Sequence, residues 1–114
     1  SYYGRVFARS GGVRDAVEEV LRELEIKPEQ FQLKPLACSG LEECKLALLK
    51  ASKGILEENF IEGMACEQGC IGGPGCLTHG PKEKAMVDKY GRLALEKKVK
   101  DAVVIFDVLG GAEE

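Results

Sequence analysis

A chain of 114 residues, 45% apolar and 31% charged, is one domain of ordinary size or one lobe of something larger, with enough apolar surface for a core. Its formal charge of −3 lacks the basic footprint of a nucleic-acid binder. No apolar run reaches the ~20 residues that span a bilayer and no signal-peptide pattern opens the chain, so no membrane partner is expected and the expected compartment is the cytoplasm.

In chain order, a short strand is possible at "YYGRVFA". "VRDAVEEVLRELE" then sets Val13, Ala16, Val17, Val20, Leu21 and Leu24 on one helical stripe, with Gly11 and Gly12 at its entrance and Pro28 past its exit. "FQLKPLAC" reads as a short strand. "SGLEECKLALLKAS" opens with Ser39 and Glu42 in capping-box spacing, and Leu41, Cys44, Leu48 and Ala51 form its apolar face. "NFIEGMA" is a second strand, leading directly into a loop over residues 64–80. Pro81 suits the first turn of a third long helix, with Met86, Tyr90 and Leu93 on one side.

The tail admits two readings. "DAVVIFDVL" has the β-branched richness of a buried strand, yet Leu95, Val99, Ala102, Phe106 and Leu109 recur at helical spacing, so a helix over 94–109 is expected. Helices alternating with strands indicate α/β architecture, a small parallel sheet flanked by helices in a single domain over residues 1–114. In such sheets, sites form where loops leave the carboxyl ends of strands.

Chemistry concentrates in "FIEGMACEQGCIGGPGCLTHG". Five cysteines, Cys38, Cys44, Cys66, Cys70 and Cys76, make an odd set, which suits metal or redox chemistry better than a secreted disulfide framework. Gly69, Gly72, Gly73 and Gly75 permit positive φ angles and bring backbone N–H groups close to sulfur. The spacing C-x3-C-x5-C matches neither a zinc knuckle nor a bacterial ferredoxin run, so ligand and plain reduced thiol both stand for Cys66 and Cys70. Cys44, on a helix stripe, reads as a buried structural thiol. Cys38 stands at a strand end before a capped helix, where the helix N-terminus would favour a thiolate. His79, the single histidine, reads as solvated, Glu62 as strand surface and Met64 as core filler.

"FIEGMACEQGCIGGPG" resembles the third signature of the iron-only hydrogenases, E-x-M-A-C-x-x-G-C-x-x-G-G-G-Q-P. Glu62, Met64, Ala65, Cys66, Gly69, Cys70, Gly72 (one position early) and Gly73 carry the likeness. Upstream, "FARSGGVRDAV" resembles that family's F-G-A-T-G-G-V helix entrance through Phe7, Gly11, Gly12 and Val13. The likeness covers roughly residues 6–90 and is to the carboxyl-terminal lobe of the large subunit, half of a two-lobed catalytic domain. "FARSGGV", "LACSGLEEC" and "GGPG" are similar to a divergent, sensory branch.

The resemblance implies that Cys66 binds a four-iron four-sulfur cubane and that Cys70 bridges it to a di-iron subsite. It implies that Met64 walls the pocket, that Gly11 and Gly12 help enclose the cofactor, and that Glu62 orients the cluster loop without a catalytic role. Cys76 and Cys38 remain as further candidate metal ligands, Cys76 standing where the family ends its glycine run. The family's other signatures, T-S-C-C-P-x-W and M-P-C-x-x-K-x-x-E, do not occur in this chain. The parent is therefore expected to be an oxidoreductase that interconverts protons, electrons and hydrogen, or senses hydrogen or redox state. This lobe is expected to lack the cubane, to be inactive alone and to contain no catalytic residue of its own. Its expected partners are the remaining lobe of the same hydrogenase-like chain and a ferredoxin-like redox protein. The competing expectation is a self-contained zinc or iron–sulfur module built from Cys38, Cys66, Cys70 and Cys76, serving structure or electron transfer.

Overall fold

A computed structural model of the protein describes residues 1–106. Two strands, β1 (Pro35–Ser39) and β2 (Phe60–Met64), pair in parallel, with Ala37 opposite Glu62 and Cys38 opposite Gly63. Parallel neighbours need a crossover, and α3 (Leu41–Ser52) supplies it. Around this β–α–β unit stand α1 (Tyr2–Arg5), α2 (Gly12–Glu23), α4 (Pro81–Arg92) and α5 (Val99–Phe106), with a 3₁₀ turn at Cys70–Gly72. The class is α/β, as the alternation of elements requires.

Successive strand residues point to opposite faces, and β2 shows what covers each. Glu62 reaches the N-terminus of α2, accepting a hydrogen bond from the Val13 N–H at 2.9 Å. A Cβ on the next residue, Gly63, would stand 3.3 Å from the Cys44 sulfur of α3. The sheet therefore lies between α2 and α3. Among the described residues, Val6, Ala16, Cys38 and Ala47 are the buried apolar side chains, joined by the buried polar residues Arg9, Glu19 and Glu62.

Several expectations change. "YYGRVFA" is no strand: Ser1 caps α1 through a hydrogen bond from the Gly4 N–H to its Oγ, which commits Tyr2–Arg5 to a helical turn. β1 begins only at Pro35, since proline fits the first position of a strand, where its missing N–H costs least. Ser39 does not cap α3; the cap position is Gly40, and the Glu43 carboxylate, one residue later than anticipated, reaches back to the Ser39 N–H at 2.7 Å. The face of α3 turned to the sheet carries Cys44 and Ala47, whereas Leu41 and Leu48 are more than half exposed.

Pro81 does open α4, but Met86, Tyr90 and Leu93 are exposed and Gly91 is the residue buried against α1. The expected 94–109 helix is shorter at its start: α5 begins at Val99, and Leu95 lies outside it, fully exposed. Residues 107–109 of that expectation lie outside the described residues. None of the described helices is long and apolar enough to cross a membrane.

Candidate metal-ligand loop

The loop leaves the carboxyl end of β2 and is tied down before it reaches its second cysteine. The Gln68 N–H donates to Ser39 Oγ at 2.6 Å, fastening the loop to the end of β1. The Ser10 N–H donates to the Gln68 carbonyl at 3.0 Å and the Ile71 N–H to the Ala8 carbonyl at 3.2 Å. Arg9 and Gly69 thereby form an antiparallel bridge. Ser39 was expected to cap a helix, and it holds the cysteine loop instead.

Only some of the glycines supply the expected positive φ. Gly69 does, at +83°, and a Cβ there would also stand 2.7 Å from the Ser10 nitrogen. Beside it Gln68 takes φ +68°, a left-handed conformation that a non-glycine residue adopts at a cost. Gly72 is required for space alone, because a Cβ would lie 1.9 Å from the Glu67 carbonyl oxygen. At Gly73 an added Cβ would meet the Cys66 sulfur at 3.4 Å. The bare backbone at Gly73 thus leaves the half-buried Cys66 thiol open on that side.

Cys70, at the head of the 3₁₀ turn, is exposed. The Cys76 thiol donates to the Cys70 carbonyl at 3.1 Å, and His79 Nε2 lies 2.7 Å from the Gly73 carbonyl oxygen. The Cys76 sulfur and the imidazole are therefore folded back onto the turn at residues 70–73. Yet among the described residues no three His, Cys, Asp or Glu side chains converge on a point that could hold a metal ion. Cys66, half open, and Cys70, open, can each offer a sulfur to a metal, while the nearby amides of Gly69, Gly72 and Gly73 donate to the Cys66, Gly69 and Cys70 carbonyls and not to those sulfurs. Further donors would have to come from elsewhere.

Cys38 sits within β1 rather than at its end. Its side chain is 3% exposed and faces α3, where the Cys44 thiol approaches the Cys38 carbonyl at 3.9 Å and the Met64 carbonyl at 3.5 Å. Burial, with help from Cys44, Glu43 and Glu58, pushes the Cys38 thiol up from its ordinary pKa, so the expected thiolate gives way to a neutral core thiol. A folded state that holds this proton more tightly than the unfolded chain is favoured fully below the unfolded pKa. That advantage disappears as pH rises through the folded one. Urea midpoints should therefore fall on the alkaline side of about pH 9, the ordinary thiol range, and a Cys38→Ala variant should lose part of that slope.

Met64 ends β2 half-buried, its carbonyl accepting from the Gly40 N–H at 2.9 Å. Gly11 holds φ +87° at the entrance of α2. With Ser10, Arg14, Ser39, Gln68 and Lys84 it lines a cleft of 420 Å³ against the loop. Gly12 packs directly on the Val6 backbone.

Arg9, which sequence reasoning passed over, and Glu62, which it read as strand surface carrying the family motif, are central here. Glu62 is 95% buried as a cap for α2, and its Oε2 has no hydrogen-bond partner among the described residues. Alternation along β2 carried no sign of this, because the partner is a helix end 49 positions away in sequence. Arg9 is equally buried, its Nε bonded to Asp88 at 2.6 Å and its Nη2 to Asp15 at 2.8 Å. Burial opposes the charge on Arg9, but the two carboxylates outweigh it and raise its pKa. The available signal was its place in "FARSGGV", where the F-G-A-T-G-G-V entrance carries alanine.

The family model described as "Iron only hydrogenase large subunit, C-terminal domain" matches residues 1–74, which include the α2 entrance, both strands and Cys66 and Cys70. Comparison with curated proteins and with solved structures gave no match.

Proposed function

Because the chain belongs to the family of the iron-only hydrogenase large subunit, C-terminal domain, we propose that its loop presents Cys66 and Cys70 as two thiolate ligands of an iron–sulfur centre. The carrying observation is the loop itself: both cysteines follow a strand end, backed by glycines that leave no Cβ at Gly72 and Gly73 and docked by hydrogen bonds from Ser10, Gln68 and Ile71. When bound, such a centre supplies electrons to or from a di-iron site where protons and hydrogen interconvert. This chain's own residues orient two sulfurs and line one wall through Met64, Gly11 and Gly12.

The other wall and ligands come from the remaining lobe of the parent, which carries the two signatures absent here. Support for such a partner comes from the surface beside the loop, where Leu77 is fully exposed and Met86 and Tyr90 are more than half exposed. The sensory or catalytic use of hydrogen follows from that assembly, and a small ferredoxin-like protein is the electron carrier it would take.

The test is anaerobic addition of ferrous iron and sulfide to this chain, alone and together with a polypeptide bearing T-S-C-C-P-x-W and M-P-C-x-x-K-x-x-E. Iron content, visible absorption and hydrogen evolution from a reduced dye are followed. Cluster absorption with Cys66 and Cys70 protected from alkylation is expected only in the mixture. Hydrogen from the chain alone overturns this reading, and stoichiometric zinc on four thiolates would favour a self-contained module.

A further inference from the structure

Arg9 joins three parts of the molecule through one residue. Its guanidinium lies between Asp15 of α2 and Asp88 of α4, and its Nη1 donates to the Ser10 carbonyl at 3.2 Å. Each guanidinium nitrogen therefore has a partner, and the side chain is 95% buried. The backbone of the same residue bridges Gly69, with Ser10 and Ala8 bonded to Gln68 and Ile71 on either side. Side chain and main chain thus act in series: two carboxylates fix Arg9, and Arg9 fixes the strip on which the cysteine loop lies.

We propose that Arg9 is a positioning residue for the cysteine loop, clamping residues 8–10 to α2 and α4 so that Cys66 and Cys70 are presented to incoming iron in one arrangement. The inference rests on the loop being a cluster-ligand loop, and it adds a residue outside the cysteine motif to that site. An arginine suits the task because its planar fork can satisfy two carboxylates and a carbonyl at once, which a lysine ammonium on a flexible stem does less well. The rival account is a buried ion pair that stabilises the whole domain without favouring the loop.

The two accounts separate in amide hydrogen exchange of the metal-free 114-residue chain. In Arg9→Gln, exchange at Ser10 and Ile71 is expected to accelerate about tenfold, because their acceptors lie across the clamp. Gly40, whose N–H donates to Met64 between the strands, should exchange as before. Arg9→Lys should fall between the two, and Asp88→Asn, which leaves Asp15 in place, should resemble it. If Arg9→Gln does not fold, these two milder variants carry the same comparison.

Equal acceleration at Gly40 and Ser10, or none at either, overturns the proposal. In the reconstituted mixture, Arg9→Gln should also take up iron more slowly than the parent sequence, and Arg9→Lys should recover part of the rate. Unchanged uptake despite a loosened loop likewise overturns it. Should the parent sequence itself take up no iron, the cluster reading fails, while the exchange result still decides whether Arg9 holds the loop.

Discussion

On the ligand assignment and assembly proposed above, replacing Cys70 by serine is expected to lower hydrogen turnover by at least about a hundredfold, since loss of a direct ligand costs more than loss of its supporting partners. Serine keeps the size of the side chain but presents a hydroxyl that stays protonated near neutral pH, where iron requires a thiolate. Cys70 is exposed at the start of the 3₁₀ turn, so the substitution disturbs no packing, and the metal-free variant should melt where the parent does. Cys66→Ser should lose iron as completely. Cys44→Ser, on the face of α3 that packs on the sheet, should keep both iron and turnover. Iron content and hydrogen evolution measured on the three variants side by side decide the matter. A Cys70→Ser protein that retained its full iron would remove this residue from the ligand set.

The second large effect is on folding. Gly12→Ala places a Cβ 2.0 Å from the Val6 carbonyl oxygen and 2.7 Å from its carbon, and neither atom can swing aside as a side chain would. Relief requires α2 to move away from the turn that follows α1, which would break the hydrogen bond from the Val13 N–H to Glu62 and uncap the helix. Overpacking of this kind against backbone should cost at least about 3 kcal/mol. That is a large share of what a domain of this size holds. The urea midpoint should drop sharply, with loss of the far-UV signal at lower denaturant. Gly75→Ala is the matched control, since nothing lies within 4 Å of the added methyl group and the loop cysteines are unaffected. Equal stability of the two variants would contradict the close approach of α2 to Val6.

What the sequence made legible divides along the range of the interactions. α2 was readable because Gly11, Gly12 and a periodic stripe all fall within one window, and β2 because "FIEGM" is short, branched and followed by a loop. The cysteine loop was readable through its spacing and through the likeness it carries. "YYGRVFA" misled because a serine cap outweighed β propensity, and α3 because its leucines promised a buried face that the protein leaves in solvent. Glu62 was legible as a motif residue, but its partner, the Val13 N–H 49 positions away, was not. Arg9 was not legible at all, because Asp88, which ties it to α4, stands 79 positions away and no local period marks an ion pair of that span. Positive φ at every loop glycine was too simple an expectation. Gly72 answers to a carbonyl in its way and not to its own dihedral angle.

The bonds between residues 8–10 and 68–71 also fix when the loop can exist. Closing a chain of roughly 60 residues onto itself costs several kcal/mol of entropy before any contact repays it. Neither partner strip can pair until the other has been synthesised, and the sheet that carries the loop itself joins β1 to β2 across the whole of α3. During synthesis the two cysteines emerge into an unclosed chain, free to meet stray metal or oxidant. They come under the protein's control only once residues 8–10 have met residues 68–71 across that span.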